Sequence, residues 1–109
     1  VTFRASGPKW SYAFVREDGT IAGVVEKLQV SNDGTTGVYY WRRARDCFAS
    51  IRGMMAKGLR VQNEFFLAPS FNEMILDGAR IIAYPVPRMW GMGTPDDLQR
   101  TLAAHPWRA

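Results

Sequence analysis

Two stretches with helical spacing stand among short runs of β-branched and aromatic residues, and that order restricts the chain to an architecture of helices covering a sheet. From Ala44 to Lys57 the apolar side chains fall at Cys47, Phe48, Ile51, Met54 and Met55, the spacing of one buried helical face, and Gly58 is placed to end the helix. A second pattern covers Phe66 to Asp77, with Leu67, Phe71, Met74 and Ile75 on one side and Asp77-Gly78 as its stop. Ahead of both, Tyr12 to Val15 and Ile21 to Val25 flank the turn pair Asp18-Gly19, the layout of a β-hairpin. Ser31-Asn32-Asp33-Gly34 is a dense group of turn formers, and Thr35 to Trp41 after it has the character of a strand. Ile81-Ile82-Ala83-Tyr84, inside the span Arg80 to Val86, is short and apolar, which favours a buried strand joining the same sheet.

A third helix has the clearest start. Thr94 can cap it, Pro95 takes its first position and Asp97 stands three residues after the cap. It extends to Ala104, with Leu98 and Leu102 placed to pack on the sheet and His105-Pro106 as its end. The expected fold is α/β, a mixed β-sheet covered by helices, in a single domain over residues 1–109. With 47% apolar residues, the chain has enough material for one core. No apolar run reaches the length of a membrane span and no signal-peptide layout opens the chain, so a cytoplasmic setting without a membrane partner is expected. The formal charge of +4 is spread along the sequence; nucleic-acid binding would call for a clustered basic stripe or a recognisable motif. The single cysteine, Cys47, cannot form an internal disulfide and is expected on the buried helical face. His105 has no neighbouring histidine or cysteine, so no zinc-type metal site is expected, and no nucleophile triad can be built.

The residues with chemical potential lie where strands end. Val24-Val25-Glu26-Lys27 closes a strand with an acid and an amine side by side. A carboxylate there can accept hydrogen bonds from hydroxyls and the ammonium can meet a phosphate, although a solvated ion pair fits the same residues. Asp33-Gly34-Thr35-Thr36-Gly37 allows close backbone approach to a ligand without matching a phosphate-loop or dinucleotide fingerprint. Met89-Trp90-Gly91-Met92-Gly93-Thr94-Pro95 runs two glycines into a capped helix, which suits either an anion or a tight packing turn.

In that order, "VVEK", "TTGVYYW", "NEFFLAPSFNEMI" and "MWGMGTPDDL" resemble the C-terminal part of the sugar-1-phosphate nucleotidyltransferases, the group of glucose-1-phosphate thymidylyltransferases and mannose-1-phosphate guanylyltransferases. The likeness runs from Trp10 to Leu102. It implies part of a Rossmann-like nucleotide-diphospho-sugar transferase fold, in which a sugar-1-phosphate oxygen attacks the α-phosphorus of a nucleoside triphosphate and pyrophosphate leaves. Sugar-1-phosphate and nucleoside triphosphate would be the partners of the complete enzyme, with Mg2+ as its cofactor. Residue by residue, the resemblance assigns Glu26 to sugar hydroxyls and Lys27 to the sugar phosphate. Ser11 stands where a small residue, usually glycine, contacts the sugar; Thr36 and Gly37 fall on the pocket wall; Asn63 and Glu64 fall on the segment before the second helix that reaches the sugar. The family aspartate that helps hold metal is matched here by Gly91, so no metal ligand can be assigned, and no residue is assigned as catalytic. The family's glycine-rich nucleotide loop has no counterpart in this sequence. The chain is therefore expected to supply the sugar side, to be catalytically incomplete alone, and to form a homo-oligomer. The alternative is a non-catalytic binding or oligomerisation module derived from the same fold.

Overall fold

The computed structural model describes residues 1–104 and Trp107. Four strands, β1 (Thr2–Arg4), β2 (Ser11–Val15), β3 (Ile21–Glu26) and β4 (Asp33–Thr35), form one sheet in the order β1-β4-β2-β3. The expected hairpin is present. Tyr12 pairs with Val25 and Ala13 with Val24, while Gly19 takes the positive φ of 81° that its turn requires. The carboxylate of Asp18 accepts the backbone N–H and the hydroxyl of Thr20 at 2.9 and 2.6 Å, fixing that turn.

Helix α1 (Ala44–Ala56) ends at Lys57, with Gly58 at a φ of 65°. Its inward face consists of Ser50 and Met54; Cys47 is half-buried, and Phe48 and Met55 stay largely outside. The full apolar face expected from the spacing is thus only partly covered. The second helix is shorter than its apolar pattern. A single 3₁₀ turn, Ala68–Ser70, precedes α2 (Phe71–Leu76), because Pro69 has no N–H to give to an α-helical ladder. Gly78, at a φ of 82°, follows its end. Helix α3 spans Pro95–Ala104, and the Asp97 N–H donates to Thr94 Oγ1 at 3.2 Å as the capping pattern predicts. Thr101, not Leu98 or Leu102, is its buried residue. The expected stop at His105-Pro106 lies outside the described residues.

The core joins sheet to helices. Val24, Ala68 and Phe71 are buried together, with Tyr39, Trp41, Met74 and Ile81 packed on them. Trp41 stacks on Phe71 at 4.5 Å with an interplanar angle of 10°. Lys57 and Glu73 tie α1 to α2 at 2.7 Å.

Two expected strands are corrected. β4 begins inside the supposed turn cluster, at Asp33, and stops at Thr35. Gly37 then takes a φ of 87°, and the following chain sends Tyr39 and Trp41 onto Phe71 rather than along a neighbouring strand. Residues 80–86 form no strand. They touch the sheet through isolated bridges, Thr20 with Ile82 and Thr2 with Pro85, and leave Ile82 and Tyr84 exposed. The Thr2–Pro85 bridge is parallel whereas all pairs between named strands are antiparallel. β1 was not expected. It is held by β4, with Thr2 opposite Thr35, and by Thr2 N–H to the Tyr84 carbonyl at 2.9 Å.

Candidate functional site

The antiparallel register of β2 and β3 sets Ser11 opposite Glu26 at the open end of the hairpin. Both are 8% exposed, and the Ser11 hydroxyl donates to Glu26 Oε2. A carboxylate this far from water needs such a donor, since an unpaired buried charge is costly. Close by, the Tyr39 and Thr35 hydroxyls are 2.9 Å apart. Burial pushes the Tyr39 phenol above its ordinary value, against the opposing pull of its hydroxyl neighbours, and the Glu26 charge pushes it further up. Tyr39 is therefore a protonated donor or acceptor throughout the neutral range.

These groups open onto a hollow of about 160 Å³. Ser11, Glu26, Thr35 and Tyr39 supply hydroxyl and carboxylate oxygens, and Lys9, Trp10, Thr36 and Gly37 complete the lining. Trp10 is braced edge-on against Phe3 of β1, with ring centroids 5.0 Å apart. The Lys9 ammonium lies 4.5 Å from the Trp10 ring centroid. The space is below the roughly 300–1,000 Å³ typical of sites that enclose a drug-sized ligand. Its lining combines hydroxyl and carboxylate oxygens, an aromatic ring and a cation, groups able to meet a small polar ligand.

Of the seven residues expected to contact a ligand, Ser11, Glu26, Thr36 and Gly37 line this hollow, and Lys27, Asn63 and Glu64 do not. Lys27 follows Glu26 at a positive φ of 55°. Its ammonium bonds Gln62 Oε1 at 3.1 Å and lies 4.5 Å from the Phe66 ring centroid. Gln62 and Asn63 are themselves at positive φ, 49° and 66°, in a tight turn closed by paired Val61 and Glu64 backbone bonds of 2.9 Å. Lys27 and the 61–64 turn therefore form a second cluster, joined to the first through the Lys27 N–H donating to the Trp10 carbonyl at 2.9 Å. Lys9, Trp10 and Tyr39 are not singled out by the sequence, and Thr35 enters only as part of the Asp33–Gly37 loop. Each is within four positions of a residue that is singled out, but their convergence depends on which strands become neighbours.

Gly91 and Asp97 meet on the α3 side. A Cβ added to Gly91 would lie 3.5 Å from the Asp97 carboxyl carbon. Both Asp97 oxygens are engaged by the Lys9 ammonium, at 2.8 and 2.9 Å. The lysine bond, then the Thr94 contact, holds the Asp97 carboxyl below its ordinary value of 3.8 against some opposing burial. No group of three or more His, Cys, Asp or Glu side chains suited to a metal occurs among the described residues. With the Asp97 carboxylate engaged by lysine, the described neighbourhood of Gly91 does not fit a magnesium site.

A larger, mostly apolar groove of about 630 Å³ shares Thr35 and Tyr39 with the smaller hollow and runs between β3, Val38 to Arg42 and residues 80–84. The Trp41 indole N–H is buried near it with no hydrogen-bond acceptor among the described residues.

Neither the known protein families nor the curated proteins give a match to this sequence. Among solved structures, the chain is similar to the nucleoside-diphosphate-sugar pyrophosphorylase from Vibrio cholerae RC9, with a TM-score of 0.83 and 27% identity over 94% of this chain. The match spans 44% of that protein, so this chain corresponds to less than half of it. No helix among the described residues is long and apolar enough to cross a membrane. The α/β fold is thus shared with part of that nucleoside-diphosphate-sugar pyrophosphorylase, and the likeness supports a nucleotidyltransferase-like origin for the chain.

Proposed function

We propose that this chain supplies the sugar-phosphate side of a nucleotidyltransferase that joins a nucleoside triphosphate to a sugar-1-phosphate in the cytoplasm. In that reaction an oxygen of the sugar phosphate forms a bond to the α-phosphorus, the bond to the β-phosphate oxygen breaks, and pyrophosphate leaves. The observation that carries the reading is the buried Glu26 carboxylate, oriented by Ser11 toward a hollow of about 160 Å³. Glu26 accepts from sugar hydroxyls, and Thr36 and Gly37 help to bound the ring. Lys27, Asn63 and Glu64 contact the part of the ligand that extends past the hollow toward the 61–64 turn. Positioning of this kind contributes to phosphoryl-type transfer without a covalent enzyme intermediate. No step is assigned to a metal held by this chain.

Titration of the whole chain with glucose 1-phosphate and mannose 1-phosphate, followed by amide NMR, tests the reading. Shifts are expected at Ser11, Glu26 and Gly37. Glu26→Gln is expected to weaken binding by about 10- to 100-fold, the worth of a hydrogen bond to a charged group. Unmoved amides at millimolar ligand would sink the proposal.

A second reading, a non-catalytic binding or oligomerisation module, is favoured by one specific observation: Asp97, the carboxylate beside Gly91, is fully paired with Lys9. The two separate on titration of this polypeptide with a sugar-1-phosphate, which shifts the amides around Glu26 and Lys27 in the first reading and leaves them unmoved in the second; neither expects pyrophosphate release from this chain alone.

A further inference from the structure

The hollow has its own cation, and it is not the one adjacent to Glu26 in sequence. Lys27 has its ammonium on Gln62 and over Phe66. Lys9 lies on the wall of the hollow, with its side chain 47% exposed, and spends its charge on Asp97, whose side chain is 13% exposed. That pair bridges residues 88 positions apart and connects the hollow to the first turn of α3.

Resting on the sugar-site reading above, we propose that Lys9 binds the phosphoryl group of the ligand and that Asp97 is an internal anion holding its place until the ligand arrives. Three features support an exchange. A partly solvated ion pair is weak, so opening it is inexpensive. A phosphate monoester carries more charge and more acceptor oxygens than a carboxylate, and an ammonium meets it as a point charge without strict angular demands. Asp97 is not left without a cation, because the Arg100 guanidinium is 3.8 Å from its Oδ1, and its own N–H remains on Thr94. The four-carbon stem of Lys9 can swing without disturbing Ser11 or Glu26, which are fixed by strand pairing.

The test measures binding of glucose 1-phosphate, glucose and inorganic phosphate to the whole chain at low salt. The variants are Lys9→Met, Lys9→Arg, Lys27→Met and Asp97→Asn, with circular dichroism confirming that each is folded. Lys9→Met is expected to weaken glucose 1-phosphate about tenfold, or 1.4 kcal/mol, and to leave glucose unchanged. Asp97→Asn, which frees the ammonium, should tighten glucose 1-phosphate severalfold, and Lys9→Arg should retain most of the wild-type affinity. Equal affinity of wild type and Lys9→Met for both phosphate ligands, or a loss confined to Lys27→Met, overturns the proposal. If glucose and glucose 1-phosphate fail to bind but inorganic phosphate still binds wild type and not Lys9→Met, the sugar reading falls and the Lys9 anion site stands. Absence of all binding overturns both.

Discussion

The carboxamide of Asn72 makes a two-point hydrogen bond with the backbone of Val24, Oδ1 accepting from the N–H and Nδ2 donating to the carbonyl, both at 2.8 Å. β3 is an outer strand of the sheet, and outer strands leave backbone groups without partners. A side chain from α2 thus takes the place of the missing strand at the point where Val24, 5% exposed, enters the core. Asn72→Leu preserves size while orphaning both groups. Each buried unsatisfied group costs about 1–3 kcal/mol, so a loss of about 2–6 kcal/mol is expected from the urea midpoint. A change below about 0.5 kcal/mol, the scatter of ordinary surface substitutions, would refute this role.

Gly34 owes its identity to a near neighbour. A Cβ built there would stand 2.5 Å from the Ala5 Cβ and 3.3 Å from the Phe3 ring. Gly34→Ala is expected to destabilise by about 1–3 kcal/mol, the usual cost of overpacking. Ala5→Gly in the same chain removes the closest obstacle, and the double variant should recover part of the loss. Thermal unfolding of the two single variants and the double variant measures the coupling, and strict additivity would argue against the contact.

Acid should loosen α3 before the sheet. The Asp97 carboxyl is held below 3.8, first by the Lys9 bond. A depressed folded value means that the contribution to stability is present above the unfolded value and is lost as pH falls through the folded one. Stability measured from pH 6 downward should therefore decline less for Asp97→Asn than for wild type once the pH falls below about 4, the ordinary aspartate range. Parallel curves for the two proteins would show that the lysine pair does not contribute.

Self-association is expected through the apolar groove. Val38, Tyr40, Ile82 and Tyr84 are 62%, 82%, 59% and 69% exposed along its margin, and contiguous apolar surface of this sort favours pairing with a second copy. Ile82→Glu is expected to shift the mass measured by light scattering from an oligomer to the monomer without changing the fold. A monomeric wild type at high concentration would remove this proposal.

Local signals in the sequence located the hairpin, α1 and α3, because each is written in a short window: Asp18-Gly19 between apolar runs, one helical face before Gly58, and Thr94-Pro95 with Asp97. The failures are non-local. Thr35 to Trp41 has strand-like composition, but Gly37 redirects it and Phe71, more than thirty positions later, decides where Trp41 goes. Ile81 to Tyr84 is apolar enough for a central strand, yet it meets the sheet through isolated bridges. At the site, Ser11 and Glu26 share a hairpin, so their pairing follows from local register. Lys9 with Asp97, and the approach of the local Thr35–Tyr39 pair to Glu26, depend on tertiary contacts that residue spacing does not encode. The neighbouring positions of Glu26 and Lys27 suggested a common target; the reversal of backbone hand at Lys27 sends its ammonium to Gln62 instead.

Thr2 is bonded at once to the Tyr84 carbonyl and to the Val86 N–H, at 2.9 and 2.8 Å. During synthesis, β1 must therefore wait without these two bonds until residue 86 has cleared the ribosome. Closing so long a loop is slow relative to making a hairpin. The Ser11–Glu26 pair can form well before that closure, whereas the Lys9–Asp97 bond must come after it in the order of emergence. A nascent chain paused shortly after Asn72 would hold a finished acid and an ammonium still without its aspartate.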